Sequence, residues 1–163
     1  MQITLVRRLW LALAIASAGI AGSSLLLTVW LSLHPCHLCI FQRLLFMLIA
    51  VGALVSAWRP NLTSGGLVTM LSGAGLATAT YQTWLQAQPP GSIACSSGQP
   101  GLVEQFVEWL GQQSPELFLA TGFCESKELE LLGLSLANAA MLAFAACLGL
   151  ALWLLWRGHF SKE

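Results

Sequence analysis

Four stretches of the chain, at about 9–33, 38–58, 66–85 and 131–156, are apolar almost without interruption, and the charged residues gather between them. None alternates with period two, and each has roughly the 20 residues that a helix needs to cross a bilayer. Lipid satisfies no backbone N–H or C=O group, so continuous apolar spans of this kind are helices. The pattern predicts an all-α membrane protein, a single membrane domain over residues 1–163. Its architecture is a four-transmembrane-helix bundle with a short first outer loop, about 34–37, and a long second one, about 86–130.

Composition agrees. Of 163 residues, 56% are hydrophobic and only 9% charged, against about 25% charged in soluble domains. A soluble chain this short could not hide so much apolar surface. Arg7-Arg8, an apolar run and Ala16-Ser17-Ala18 have the order of a cleavable signal. The run continues past Ala18 to Leu33, however, which makes it an uncleaved first span. Charge then sets the orientation. Arg7, Arg8, Arg59, Arg157 and Lys162 fall on one side of the four spans. The long outer loop holds Lys127 with Glu104, Glu108, Glu116, Glu125, Glu128 and Glu130. By the positive-inside rule both termini are cytoplasmic. Nothing in the sequence points to a nucleic-acid partner.

Four of the five cysteines, at 36, 39, 95 and 124, lie in the outer segments, and Cys147 lies within a span. Outside the cytosol thiols tend to pair. Cys36 and Cys39 pair by closeness, Cys95 and Cys124 by sharing a loop. The second pair reads equally as a staple, since closing a loop of that size is worth roughly 3–4 kcal/mol in the chain-entropy model. A CxxC ring stabilises little, and its usual work is exchange. Ile40 follows Cys39 where haem attachment needs histidine. His34, Cys36, His37 and Cys39 have zinc-ligand chemistry, but four ligands within six residues do not easily wrap one tetrahedron, so no metal is expected. Cys147 reads as a small buried hydrophobe.

Pro35 suits a first helical turn, so the second span is expected to start at or near Cys36. Positions 36, 39 and 43 would then share a face. Arg43 is the one charge in that span. It either snorkels to the surface over some 8–10 Å or marks a site, as intramembrane charges usually do. The helix N-terminus and the guanidinium both favour thiolate. A dithiol fed from outside needs an electron acceptor. The chain has no G-x-G-x-x-G motif and no histidine pair on two spans for haem. A lipid-soluble quinone fits by elimination. In the outer loop Val103, Phe106, Val107 and Leu110 fall at i, i+3, i+4 and i+7, with Trp109 beside them. This predicts a short amphipathic helix, lying on the membrane or packed on the protein itself.

"PCHLCIFQR", the loop ending in "IAC", and "EWLGQQSPELFLATGFCESKELELLGLS" together resemble the disulfide bond formation protein B (DsbB) family over nearly the whole chain. A quinone-linked oxidase of that kind keeps the bacterial periplasm oxidising. The resemblance implies a multi-pass protein of the bacterial inner membrane, a disulfide-forming protein-dithiol:quinone oxidoreductase. It makes Cys36–Cys39 the quinone-coupled pair and Cys95–Cys124 the pair facing a periplasmic thioredoxin-fold dithiol oxidase (DsbA-like). The partner attacks Cys95 and frees Cys124, which attacks Cys36 and frees Cys39. Arg43 stands close to a quinone, ubiquinone or menaquinone. Gln82, in "TYQTW", occupies the place of a histidine that some members use for the quinone, and can donate a hydrogen bond there. Gln42 replaces an acid of some relatives and acquires no role. The competing reading is a non-catalytic four-helix membrane protein whose outer loop is stapled and binds a partner.

Overall fold

A computed structural model describes residues 2–59, 61–88, 101–122, 130–131 and 134–160. Its long helices are α1 (Gln2–Trp30), α2 (His37–Trp58), α3 (Leu62–Gln86) and α6 (Leu136–Phe160). Two short ones, α4 (Leu102–Gln113) and α5 (Pro115–Phe118), lie between α3 and α6. Two-residue strands, β1 (Glu130–Leu131) and β2 (Leu134–Ser135), pair antiparallel just before α6. Among the described residues the protein is therefore helical apart from this one small ladder.

Segments Thr4–Trp30, His37–Trp58 and Leu136–Arg157 are long and apolar enough to cross a membrane. The α3 helix matches them in length, but Gly, Ser and Thr recur along it and dilute its hydropathy. Those small residues have a purpose in packing. The buried positions of α3 are Gly65, Val68, Ser72, Gly75, Ala79, Gln82 and Leu85. Through Gln82 they alternate steps of three and four, the stripe that lets two helices stay in register along a shallow left-handed crossing. The α2 and α3 helices pack together, α1 packs on α2 and α6 on α3, and α1 also meets α6, which closes the bundle.

The core is built across these seams. Phe46 of α2 stacks on Phe144 of α6, ring centroids 4.0 Å apart and 14° from parallel. The Phe144 ring fills the space where Gly75 has no side chain, and a Cβ there would collide with it. A Cβ on Gly65 would meet Leu155 Cδ2 at 2.5 Å. Ser56 Oγ lies 2.9 Å from Ser64 Oγ, tying α2 to α3 near the end remote from the cysteines.

Boundaries differ from the hydropathy reading for local reasons. The apolar run suggests a first span reaching Leu33, but α1 ends at Trp30. Ser32 adopts a left-handed φ of 49°, and Leu33 N–H bonds back to the Thr28 carbonyl at 3.2 Å, the Schellman stop. The α3 helix starts at Leu62 rather than 66, because Asn61 caps it by accepting the Ser64 N–H at 2.7 Å. At the other end of the chain α6 begins at Leu136, not 131. The preceding residues carry the β-ladder, and Ser135 Oγ accepts the Asn138 N–H at 3.3 Å.

Gly75→Ala is expected to lower stability by about 1–3 kcal/mol, the usual cost of overpacking, because Phe144 is held between its neighbours. Gly73→Ala, with nothing within 4 Å of the added methyl, should be neutral or slightly stabilising. Thermal unfolding of both variants in one detergent checks the pair.

Candidate functional site

At one end of the bundle meet the C-terminal turns of α1 and α3, the N-terminus of α2, and α4 with α5. The second long helix starts beside Cys36, as expected, but Pro35 lies outside its first turn. The α2 helix starts at His37, and Cys36 is its N-cap in extended conformation (φ −82°, ψ 169°). The Cys36 sulfur accepts the Cys39 N–H at 3.4 Å, the role a serine or aspartate oxygen usually plays. Capping brings the two sulfurs together. Cys36 Sγ and Cys39 Sγ are 3.1 Å apart, within hydrogen-bonding reach of each other.

Gln82 completes this centre from α3. Its Nε2 donates to Cys39 Sγ at 3.0 Å and lies 3.5 Å from Cys36 Sγ. Gln42, one turn along α2 from Cys39, donates from Nε2 to Gln82 Oε1 at 2.8 Å. Both glutamines are buried. The sequence singled out Gln82 but gave Gln42 no role. The available signal was a buried amide on the cysteine face of an apolar helix, which must find hydrogen-bond partners.

Arg43 is 4% exposed, and its guanidinium stays inside the protein instead of snorkelling. Nε donates to Ser24 Oγ at 3.2 Å, and Nη2 to Thr28 Oγ1 at 2.8 Å and the Ser24 carbonyl at 3.4 Å. Nη1 donates to the Leu117 carbonyl at 3.2 Å. Ser24 and Thr28, which sequence reasoning missed, are polar residues one helical turn apart in the apolar run of α1. The bond to Leu117 is also unforeseen, because in sequence the outer loop stands far from Arg43.

Helix α4 roofs the site. Its Val103 packs on a cluster of Cys36, Leu38 and Leu85, with Cys39 at the margin. Val107 is fully buried, whereas Leu102, Phe106 and Trp109 are exposed. One edge of the helix thus packs on the protein, as the second reading of its pattern has it, and an apolar edge faces outward. Glu104 reaches back to the Gly101 N–H at 2.9 Å and starts the helix.

Beyond α5 the chain returns to the dithiol. Thr121 N–H and Gly122 N–H both donate to the Pro35 carbonyl, at 3.0 and 3.2 Å. Gly122 lies so close to the His34 carbonyl that a Cβ would clash, so only glycine fits. Cys95 and Cys124 lie outside the described residues. Cys147 is buried in α6 near Ser17 of α1, S···O 4.0 Å, away from Cys36 and Cys39.

Chemically, the arrangement gathers two thiols, a helix N-terminus and an amide donor in an apolar enclosure, with a fixed cation on the next turn. Each donor favours negative charge on sulfur. The family model for "Disulfide bond formation protein DsbB" matches residues 6–154. The chain belongs to the DsbB family. Among its relatives, "Disulfide bond formation protein B" of Dechloromonas aromatica (strain RCB) is 41% identical over 150 residues, 90% of this chain and 91% of the relative. The protein of the same name from Azoarcus sp. (strain BH72) is 36% identical over 154 residues, 91% and 92% of the two chains. That from Nitrosomonas eutropha (strain DSM 101675 / C91 / Nm57) is 32% identical over 164 residues, covering 96% and 98%. As a DsbB member the chain is a membrane oxidoreductase of disulfide bond formation.

Gly122→Ala should push the 121–122 segment off Pro35. Hydrogen exchange at the Thr121 and Gly122 amides is expected to accelerate by about tenfold, the equivalent of one lost hydrogen bond. Mass spectrometry of the labelled full-length protein in micelles reads this directly.

Proposed function

We propose that this protein reoxidises a DsbA-like dithiol oxidase of the periplasm and passes the electrons to a membrane quinone, ubiquinone or menaquinone. Two exchanging cysteine pairs, Cys36–Cys39 and Cys95–Cys124, carry them. In this reading α3 spans as well and brings the number of spans to four, both termini are cytoplasmic, the protein sits in the bacterial inner membrane, and the site faces outward. The observation that carries the proposal is the Cys36–Cys39 pair, its sulfurs 3.1 Å apart at a helix N-terminus beneath Gln82, with Cys36 buried and Cys39 partly so.

A partner thiolate attacks Cys95 and expels Cys124 as thiolate. The partner's second thiolate then frees Cys95 and leaves the partner oxidised. Cys124 attacks Cys36, releasing Cys39 as thiolate, and Cys95 attacks Cys124 to close their disulfide again and free Cys36. Two electrons and two protons now reside on Cys36 and Cys39. Support for the central transfer comes from Gly122, two positions before Cys124 in sequence, which is held against His34 and Pro35 beside Cys36.

A quinone supplies a two-electron, two-proton acceptor that dissolves in the bilayer. The residues present suit it. Four of the five Arg43 N–H donors are engaged, leaving one on Nη1, and the cation is buried where it acts strongly on developing charge. Both N–H groups of Gln82 serve sulfur in the dithiol form, and they are placed to follow the charge as it leaves Cys39. Arg43 and Gln82 are the residues that would hold the acceptor.

Serine replacement of Cys36, Cys39, Cys95 or Cys124 is expected to abolish partner oxidation, while Cys147→Ser leaves it near normal. A partner lacking its resolving cysteine should be trapped covalently on Cys95. Gel shifts with a thiol-alkylating reagent decide against the stapled-loop alternative if the redox state of the pairs follows quinone supply.

Arg43→Met should raise KM for quinone about tenfold or more, as loss of a charged hydrogen-bond donor does. Arg43→Lys keeps the charge without the planar fork and should fall between. Because Nη1 also holds Leu117, exchange at the loop pair should slow in Arg43→Met as well. Wild-type steady-state constants in Arg43→Met would remove Arg43 from the site.

A further inference from the structure

The buried polar groups around the dithiol raise a question of orientation. A carboxamide presents N–H on one side and oxygen on the other, and the two ends look alike in shape. Gln82 helps a thiolate only with its N–H groups toward sulfur. Turned about, it would aim an oxygen at Cys39 and repel the charge. Gln82 is 2% exposed and Gln42 is 5% exposed, so water offers little help in choosing. The choice is made by Gln42, whose Nε2 occupies the acceptor side of Gln82 at 2.8 Å and leaves Nε2 of Gln82 at 3.0 Å from Cys39 Sγ.

We propose that Gln42 is a positioning residue of the dithiol site: by donating to Gln82 Oε1 it holds the Gln82 amide with its N–H groups on Cys39 and Cys36, so that two uncharged side chains from α2 and α3 stabilise the Cys39 thiolate. This rests on the oxidase reading above, in which Cys39 is the sulfur that must carry charge.

The chain around the pair is suited to such a device. Helix α3 contains no Asp, Glu, Lys, Arg or His, and its one titratable side chain, Tyr81, is exposed. On α2 the charged neighbour is Arg43, whose bonds go to α1 and to Leu117, and His37 stands between the two cysteines at the helix start. On α4 Glu104 is turned to the Gly101 N–H and Glu108 is exposed. Among the described residues, nothing in direct hydrogen bonding with Gln82 gains or loses a proton except the cysteines themselves. Apart from the cysteines, nothing that holds the amide therefore changes with pH, and a side chain at position 42 that ionises would add such a dependence.

That difference supplies the test. Full-length protein is reduced, freed of reductant under anaerobic conditions in micelles, and alkylated with iodoacetamide, with Cys39 followed by peptide mass spectrometry between pH 5 and 9. The readout requires no quinone. A hydrogen bond to a charged group accounts for roughly a tenfold change in thiolate population, and the lower nucleophilicity of a stabilised thiolate offsets part of it. Gln82→Leu should thus slow Cys39 alkylation at neutral pH by about three- to tenfold. Gln42→Leu, which leaves Oε1 of Gln82 without its donor, should slow it by a smaller factor.

Gln42→Glu has the same shape and separates positioning from packing. As a carboxylate it can only accept, and draws the Gln82 N–H groups away from sulfur. As a neutral acid it donates and restores the wild-type arrangement. Its alkylation rate relative to wild type should approach one at low pH and fall as pH rises. Circular dichroism and thermal unfolding identify any variant that fails to fold. A Gln42→Glu protein that tracks wild type across the whole range overturns the proposal. Wild-type protein that shows these alkylation patterns but reduces no quinone supports the amide pair and overturns the oxidase reading.

Discussion

A cation buried in an apolar bundle must be given acceptors, and the acceptors for Arg43 organise the site. Leaving a guanidinium unpaired in such a place costs several kcal/mol. Ser24 and Thr28 supply oxygens from α1, and Leu117 supplies a carbonyl from α5. These bonds fix how α1 approaches α2 and where the segment after α4 crosses the helix end. The same segment then reaches Pro35, so the dithiol, the cation and the returning loop form one hydrogen-bonded unit. Breaking any part of it exposes polar groups in the others.

The rest of the bundle serves this end by coming close. Small residues on α3 let α2 and α6 approach, with Phe144 lodged against Gly75. The buried stripe of α3 finishes at Gln82 and Leu85, so the register that packs the core also delivers an amide to the sulfurs. Moving the stripe by one residue would turn Gln82 away. Core packing and chemistry are not separable in this helix.

Much of this was readable in the sequence, in proportion to how local the governing physics is. Apolar runs located α1, α2 and α6, but α1 begins at Gln2, well before its run at Leu9, and other ends were misjudged where a cap, a left-handed Ser32 or a strand pair interrupted the run. The third run was harder, because an inner helix can trade hydropathy for small residues. CxxC spacing put Cys36 beside Cys39 at a helix start, although Pro35 hid the fact that Cys36 is a cap and not a helical residue. What one segment cannot show is who meets whom across the bundle. Gln42 to Gln82 and Arg43 to Leu117 are separated by 40 and 74 residues, and no periodicity reports such pairings. "TGFC" held a glycine whose reason, the carbonyl of His34, lies far back in the chain.

Helix α4 closes the space above Cys36. That residue is 2% exposed, sealed by Val103 and Leu85, so small thiols in the surrounding solution have no direct path to it. Cys39 keeps part of its surface, so access to the two sulfurs differs. A small reagent can meet Cys39 directly, whereas Cys36 is reached only by a group that opens or enters the enclosure. A pair built in this way offers its two sulfurs in a fixed order.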